Sequence, residues 1–122
     1  MTPNELTQAL AGFTGTAQYY RHWTGHLLYT DGVHFLAENA GGGAYWLLDA
    51  VASYQPDCMK DAMLRDFQVW TLTVAGDKSA VLKCERDTDD VAFTQEIPFT
   101  DFPLPEVKLY VQNGVLLLPG EY

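Results

Sequence analysis

Residues 19–26, YYRHWTGH, bring two histidines, an arginine, two tyrosines and a tryptophan into one short segment. Histidine is the side chain suited to proton transfer near neutral pH. Tyrosine and tryptophan offer a large apolar body with a polar handle. Catalysis by His22 would need an acid within hydrogen-bond reach and a concave pocket. Asp49 is the notable acid, because it sits in the nearly all-apolar stretch AYWLLDAVASY. If buried there it needs hydrogen-bond partners, for which a tyrosine or Arg21 would serve; otherwise it marks that helix's exposed edge. Arg21, His22 and Asp49 are therefore the candidate catalytic set. Tyr19, Tyr20 and Trp23 are candidate binding residues, to which the acidic run adds Asp87, Asp89 and Asp90.

The other chemistries are poorly supported. Asp31-Gly32 between His26–Thr30 and Val33–Ala37 has the form of a type I′ hairpin turn. That hairpin would set His26 opposite Ala37 and His34 opposite Tyr29, on different faces of the ribbon. His22, His26 and His34 then cannot supply three ligands to one ion, so no metal site is expected. Cys58 and Cys84 follow no metal-ligand spacing. Cys84 alternates with Leu82 and Ala80 and should point into the core, whereas Cys58 is expected to be partly exposed near a helix start. Gly41-Gly42-Gly43 would follow a strand and precede a helix, but the lysine and hydroxyl of a phosphate-binding loop are missing. A turn folding the helix back over the hairpin is the preferred reading. Asp87, Asp89 and Asp90 fall in an acidic loop over residues 86–90, without an apolar pocket to perturb them.

The elements that must position these residues are legible in outline. Thr2-Pro3-Asn4-Glu5 has the form of a capping box, predicting a helix from Pro3 to about Ala11. Residues 44–54 predict a largely buried helix ended by Pro56, and a short helix should follow over Asp57–Leu64. Alternating patterns over 68–74, 80–84 and 91–97, with turn signals between them, predict a meander. Asn113-Gly114 predicts a second tight hairpin between 107–111 and 115–118. A helix over Pro105–Gln112 is the competing reading. The fold class is α+β: an antiparallel sheet of about five to seven strands on one buried helix, with short additional helices, in one compact domain over 1–122.

Composition narrows the functions. The chain has 122 residues, 48% hydrophobic and 19% charged, enough to build a core. Its net charge of −9 disfavours direct binding to nucleic acid or to anionic membranes. Glu85, Asp87, Asp89, Asp90, Glu96, Asp101 and Glu106 are set against Arg86 alone between positions 85 and 106. No signal peptide or membrane span is recognisable, and the expected setting is cytoplasmic with reduced thiols.

GTAQYYRHW (15–23), LLYTDGVHFLAE (27–38), GAYWLLDAVASYQP (43–56), FQVWTLTV (67–74) and TDFPLPEVKLYVQNGVLLLPGEY (100–122) resemble a family of small uncharacterised proteins, a domain of unknown function. That family is found in bacteria and on mobile elements such as plasmids and phages. The resemblance is carried most specifically by YTDGV, AYWLLD and LLLP-x-EY. It implies an intracellular bacterial or phage setting, and no activity, cofactor or catalytic residue. The expectation is a non-enzymatic protein-binding or accessory factor with a basic, nucleic-acid-binding protein as partner and no cofactor. The alternatives are a small enzyme at Arg21, His22 and Asp49, or a homodimeric regulatory module.

Overall fold

A computed structural model describes residues 1–122. Helix α1 (Pro3–Ala11) starts as expected: Thr2 Oγ1 accepts from the Glu5 amide and Glu5 Oε1 accepts from the Thr2 amide. Strands β1 (Tyr19–Arg21) and β2 (Leu28–Thr30) precede helices α2 (Asp31–Asn39), α3 (Tyr45–Ser53), α4 (Gln55–Cys58) and α5 (Ala62–Asp66). Then come β3 (Phe67–Val74), β4 (Ala80–Asp87), β5 (Asp90–Ile97), β6 (Glu106–Gln112) and β7 (Val115–Leu117), and a closing 3-10 turn, Pro119–Glu121. The seven strands form one sheet in the order β1-β2-β7-β6-β3-β4-β5. Every neighbouring pair is antiparallel except β2 with β7.

The chain is thus α+β, as its patterning predicts. Alternate residues of the central strands, Trp70 and Leu72, Leu82 and Cys84, Leu109 and Val111, enter one buried cluster. Val33, Leu36 and Ala37 of α2 join them, as do Leu47, Leu48 and Val51 of α3. Gln68 is also fully buried, and its amide is satisfied by Gln55, the Leu64 carbonyl and the Trp70 indole.

One expected hairpin is absent. Asp31-Gly32 opens helix α2 instead of turning a ribbon. Thr30 is its N-cap, accepting from the Val33 amide, and Val33, Leu36 and Ala37 have helical as well as strand-like spacing. Gly32 is small for another reason: a Cβ there would lie 2.6 Å from Leu118 Cδ1 and 2.7 Å from Glu121 Oε1. The facing of His26 and His34 inferred from that hairpin falls with it. Asn113-Gly114 is the true tight turn, with φ of 51° and 81°, and it joins β6 to β7. The competing helix over 105–112 does not form.

Smaller corrections follow the same logic. Pro56 lies in the first turn of α4 rather than ending a helix, and the short helix expected over 57–64 is split between α4 and α5. The loop expected over 86–90 shrinks to a Thr88-Asp89 turn, because β4 runs to Asp87 and β5 begins at Asp90. Gly41–Gly43 links two helices, not a strand to a helix, and the Gly42 amide donates to Asp101 at 2.7 Å. Cys58 is fully buried rather than partly exposed.

Candidate functional site

Tyr20 on β1 pairs with Tyr29 on β2, and the two rings stack at 5.4 Å. Tyr20 also stacks on His34 of α2, with centroids 4.3 Å apart, and its hydroxyl donates to Asp31 at 3.1 Å. Asp31 in addition accepts from the amides of Ala17 and Gln18. The Ala17 amide bond and the Tyr20 hydroxyl hold its carboxyl below the usual range against the effect of burial. Burial and the bond to Asp31 push the Tyr20 phenol up.

The strip continues along α2 onto α3. His34 Nε2 lies 3.4 Å from Glu38 Oε1, one helical turn on. Glu38 in turn accepts from the Tyr45 hydroxyl at 2.6 Å. Burial, then that bond, raises the Tyr45 phenol pKa. Asp49 is one turn beyond Tyr45 on the same face of α3. It accepts from His22 Nε2 at 2.7 Å and from Trp23 Nε1 at 3.0 Å. His22 Nδ1 lies 2.8 Å from the Thr24 hydroxyl and accepts from the Thr24 amide at 3.2 Å. An amide donor at Nδ1 places the ring proton on Nε2, where it points at Asp49.

The chain Asp49–His22–Thr24 has the acid–imidazole–hydroxyl order of a nucleophilic triad. All three groups are engaged within the fold. His22 is 3% exposed and both ring nitrogens are engaged. The Thr24 hydroxyl is tied into its own loop, accepting from the His26 amide. His22 lines none of the concavities beside Phe67, Ala75, Arg21, Phe102 or Phe99. What the arrangement does hold is Trp23, a residue 80% exposed whose indole N–H is bonded to Asp49. The imidazole fixes the carboxylate and the carboxylate fixes the indole.

The structure therefore brings His22, Trp23 and Asp49 together, with Tyr20 at the other end of the strip. Arg21 points elsewhere: it makes no ion pair and lines a shallow depression with Gly25, His26, Leu28 and Gly114. Tyr19, on the outermost strand, is 61% exposed. Asp87, Asp89 and Asp90 lie at the β4–β5 turn, where Arg86 bonds Asp61 at 2.7 Å and Asp90 at 3.0 Å. Glu38, His34 and Tyr45 were not singled out by sequence reasoning for this strip. Their signal was helical spacing, 34 to 38 and 45 to 49, hidden for the first pair by the mistaken hairpin. No group of three or more His, Cys, Asp or Glu side chains is arranged to hold a metal ion. No helix is long and apolar enough to cross a membrane.

These features define a two-layer α+β protein with a mixed seven-stranded sheet and an aromatic, carboxylate-lined face over β1, α2 and α3. The chain belongs to the family of unknown function DUF6876, whose family model matches residues 4–122. No curated protein and no solved structure matches it.

Proposed function

We propose that this protein is a non-enzymatic binding factor that engages a basic protein partner through the face carrying Trp23, Tyr45, Glu38 and Asp49. The observation that carries the reading is Trp23: a tryptophan left largely in solvent, yet held by a hydrogen bond to a carboxylate that a buried histidine orients. Binding hot spots are enriched in such aromatics, and an aromatic fixed beforehand loses less entropy on binding.

The charge around it sets the class of partner. No Lys or Arg occurs between Arg21 and Lys60, while Asp31, Glu38, Asp49 and Asp57 do. A guanidinium or ammonium group set over an indole and beside a carboxylate gains both cation–π and ionic attraction. The acidic β4–β5 turn adds long-range attraction for the same sign of charge. A groove built to hold nucleic-acid phosphates has that charge, so occlusion of a nucleic-acid-binding protein is the concrete form of the proposal.

The test uses a short fluorescent oligoarginine peptide as probe and an oligoglutamate peptide as control, titrated at low and high salt. The reading predicts binding of the first only, weakened by salt and weakened further by Trp23→Ala. A truncated hot spot costs about 2 kcal/mol, or roughly 30-fold in Kd. Equal affinity of wild type and Trp23→Ala would refute the role given to this face.

A further inference from the structure

The sheet ends in two strands with one free edge each, β1 and β5. A free edge presents a row of unpaired N–H and C=O groups, a template for another extended chain. β1 is blunted: it has three residues, and the amides of Ala17 and Gln18 just before it are bound by Asp31. β5 is longer and open. It has eight residues, DVAFTQEI, with no proline, lysine or arginine. Its register against β4 is regular from Phe93 to Ile97. It pairs with β4 alone and makes no other backbone–backbone hydrogen bond. The side chains beside this edge differ by face. On the helix side Phe93 packs on Tyr54, with ring centroids 5.0 Å apart. Ile97 borders an open concavity of about 420 Å³, shared with Trp46, Phe99, Thr100 and Asp101. Trp46, Ala50 and Tyr54 recur every fourth residue and are half-buried, and Phe99 is 70% exposed. On the other face Thr94 and Glu96 stand in solvent, and Glu96 has no ion-pair partner. Lys83 lies one strand in, opposite Thr94.

We propose that the β5 edge is a second docking surface, which takes an extended segment of a partner protein as an added strand with alternating apolar and basic residues. Main-chain hydrogen bonds to the edge supply affinity, and the alternate side chains supply specificity. On the helix side an apolar residue enters the concavity between Trp46, Ile97 and Phe99. On the other face a basic residue lies beside Glu96. The only charges of β5 are Asp90 and Glu96, which attract a basic chain. A second copy of this chain fits poorly: it carries a net charge of −9 and would bring its own Asp90 and Glu96 to the same edge. The surface does not use Trp23, which follows β1 at the opposite end of the sheet.

The probe is a short fluorescent peptide of alternating valine and lysine, titrated into the folded chain. Its fully N-methylated counterpart is the control, since it keeps the side chains and the charge but donates no backbone hydrogen bond. Only the first should bind, and hydrogen exchange of the β5 amides should slow in the complex. Phe99→Ala and Glu96→Lys, both at exposed positions, should each weaken binding about tenfold. Trp23→Ala should leave it as in wild type. Equal binding of the two peptides, binding of neither, or binding that leaves β5 exchange unaltered would overturn the proposal. So would loss of binding in Trp23→Ala, which moves the peptide to the other face. A dimer in sedimentation whose formation slows β5 exchange would overturn it as well, by giving the edge to a second copy.

Discussion

The protein has two acidic regions, and they use their carboxylates in opposite ways. Around α2 and α3 the acids are hydrogen-bond hubs. Asp31 takes two backbone amides and the Tyr20 hydroxyl, and Asp49 takes an imidazole and an indole. Glu121 takes the Thr30 hydroxyl at 2.6 Å and the amides of Gly32 and Leu118. At the β4–β5 turn the acids lie on the surface: Asp87 and Glu85 accept from the amides of Thr88 and Asp89, and Arg86 bridges Asp61 to Asp90. A charge in the first region sets geometry, so its loss should change structure and dissociation. A charge in the second mainly contributes field, so its loss should change encounter. Rim charges act chiefly on association rate, and buried anchors on dissociation.

The sharpest way to break the contrast is at Glu121. Its carboxylate lies at the N-terminus of α2, favourable for the helix dipole, and joins the last turn of the chain to Thr30 and Gly32. Glu121→Ala removes a charged acceptor with three donors and should cost about 3 kcal/mol, read from urea unfolding. Gly32→Ala attacks the same junction by crowding. Glu121 is pinned by those bonds and Leu118 is buried, so neither yields freely; about 2 kcal/mol is expected.

Asp49→Ala comes next. It leaves the buried His22 Nε2–H without its acceptor, a loss of about 2 kcal/mol, and frees the indole. Binding of the basic probe should weaken through faster dissociation, seen by surface plasmon resonance. An unchanged dissociation rate would place Asp49 among the merely solvated acids.

The pH dependence of stability sharpens the comparison further. Asp31 has its folded pKa lowered from 3.8, chiefly by the Ala17 amide. A lowered folded pKa contributes stability that is complete above the unfolded pKa and is lost as pH falls through the folded one. Asp61, lowered first by Arg86, and Asp77, lowered by Ser79, have the same sign. Stability should therefore fall as pH drops through the acid range, and the midpoint of acid unfolding should move up in Asp31→Asn, followed by circular dichroism. A midpoint that stays put would show Asp31 to be as dispensable as an exposed acid.

The smallest stability effect belongs to the turn. Neutralising Asp87, Asp89 and Asp90 together to asparagine should alter stability by less than about 1 kcal/mol, the range of exposed pairs. Association with the basic probe should slow and its salt dependence flatten, while dissociation remains as in wild type. Stopped-flow mixing separates the two rates.

How much of this was legible in the residues depended on whether a signal was local. The α1 capping box and the Asn113-Gly114 turn depend on neighbours within a few positions, and both form. The two glycines of Asp31-Gly32 and Asn113-Gly114 look alike in sequence but serve different ends. The first avoids contact with Glu121 and Leu118, far along the chain, and no local reading sees that. The same error hid His34 and Glu38 from the strip, since a strand would have set them about 13 Å apart instead of one helical turn apart. His22 and Asp49 were each conspicuous by type, yet their meeting and its use in holding Trp23 needed the loop after β1 to reach α3.

The central claim is that Trp23 is exposed but held. Side-chain indole 15N relaxation and Nε1–H exchange test it directly on the free protein. With Trp46 and Trp70 the chain gives three indole signals, assignable by single substitution. The account predicts that the Trp23 signal is as ordered as that of buried Trp70, with slowed exchange, and that Asp49→Ala turns it into a mobile, fast-exchanging indole. A Trp23 indole already mobile in wild type, or unaltered by Asp49→Ala, would contradict it.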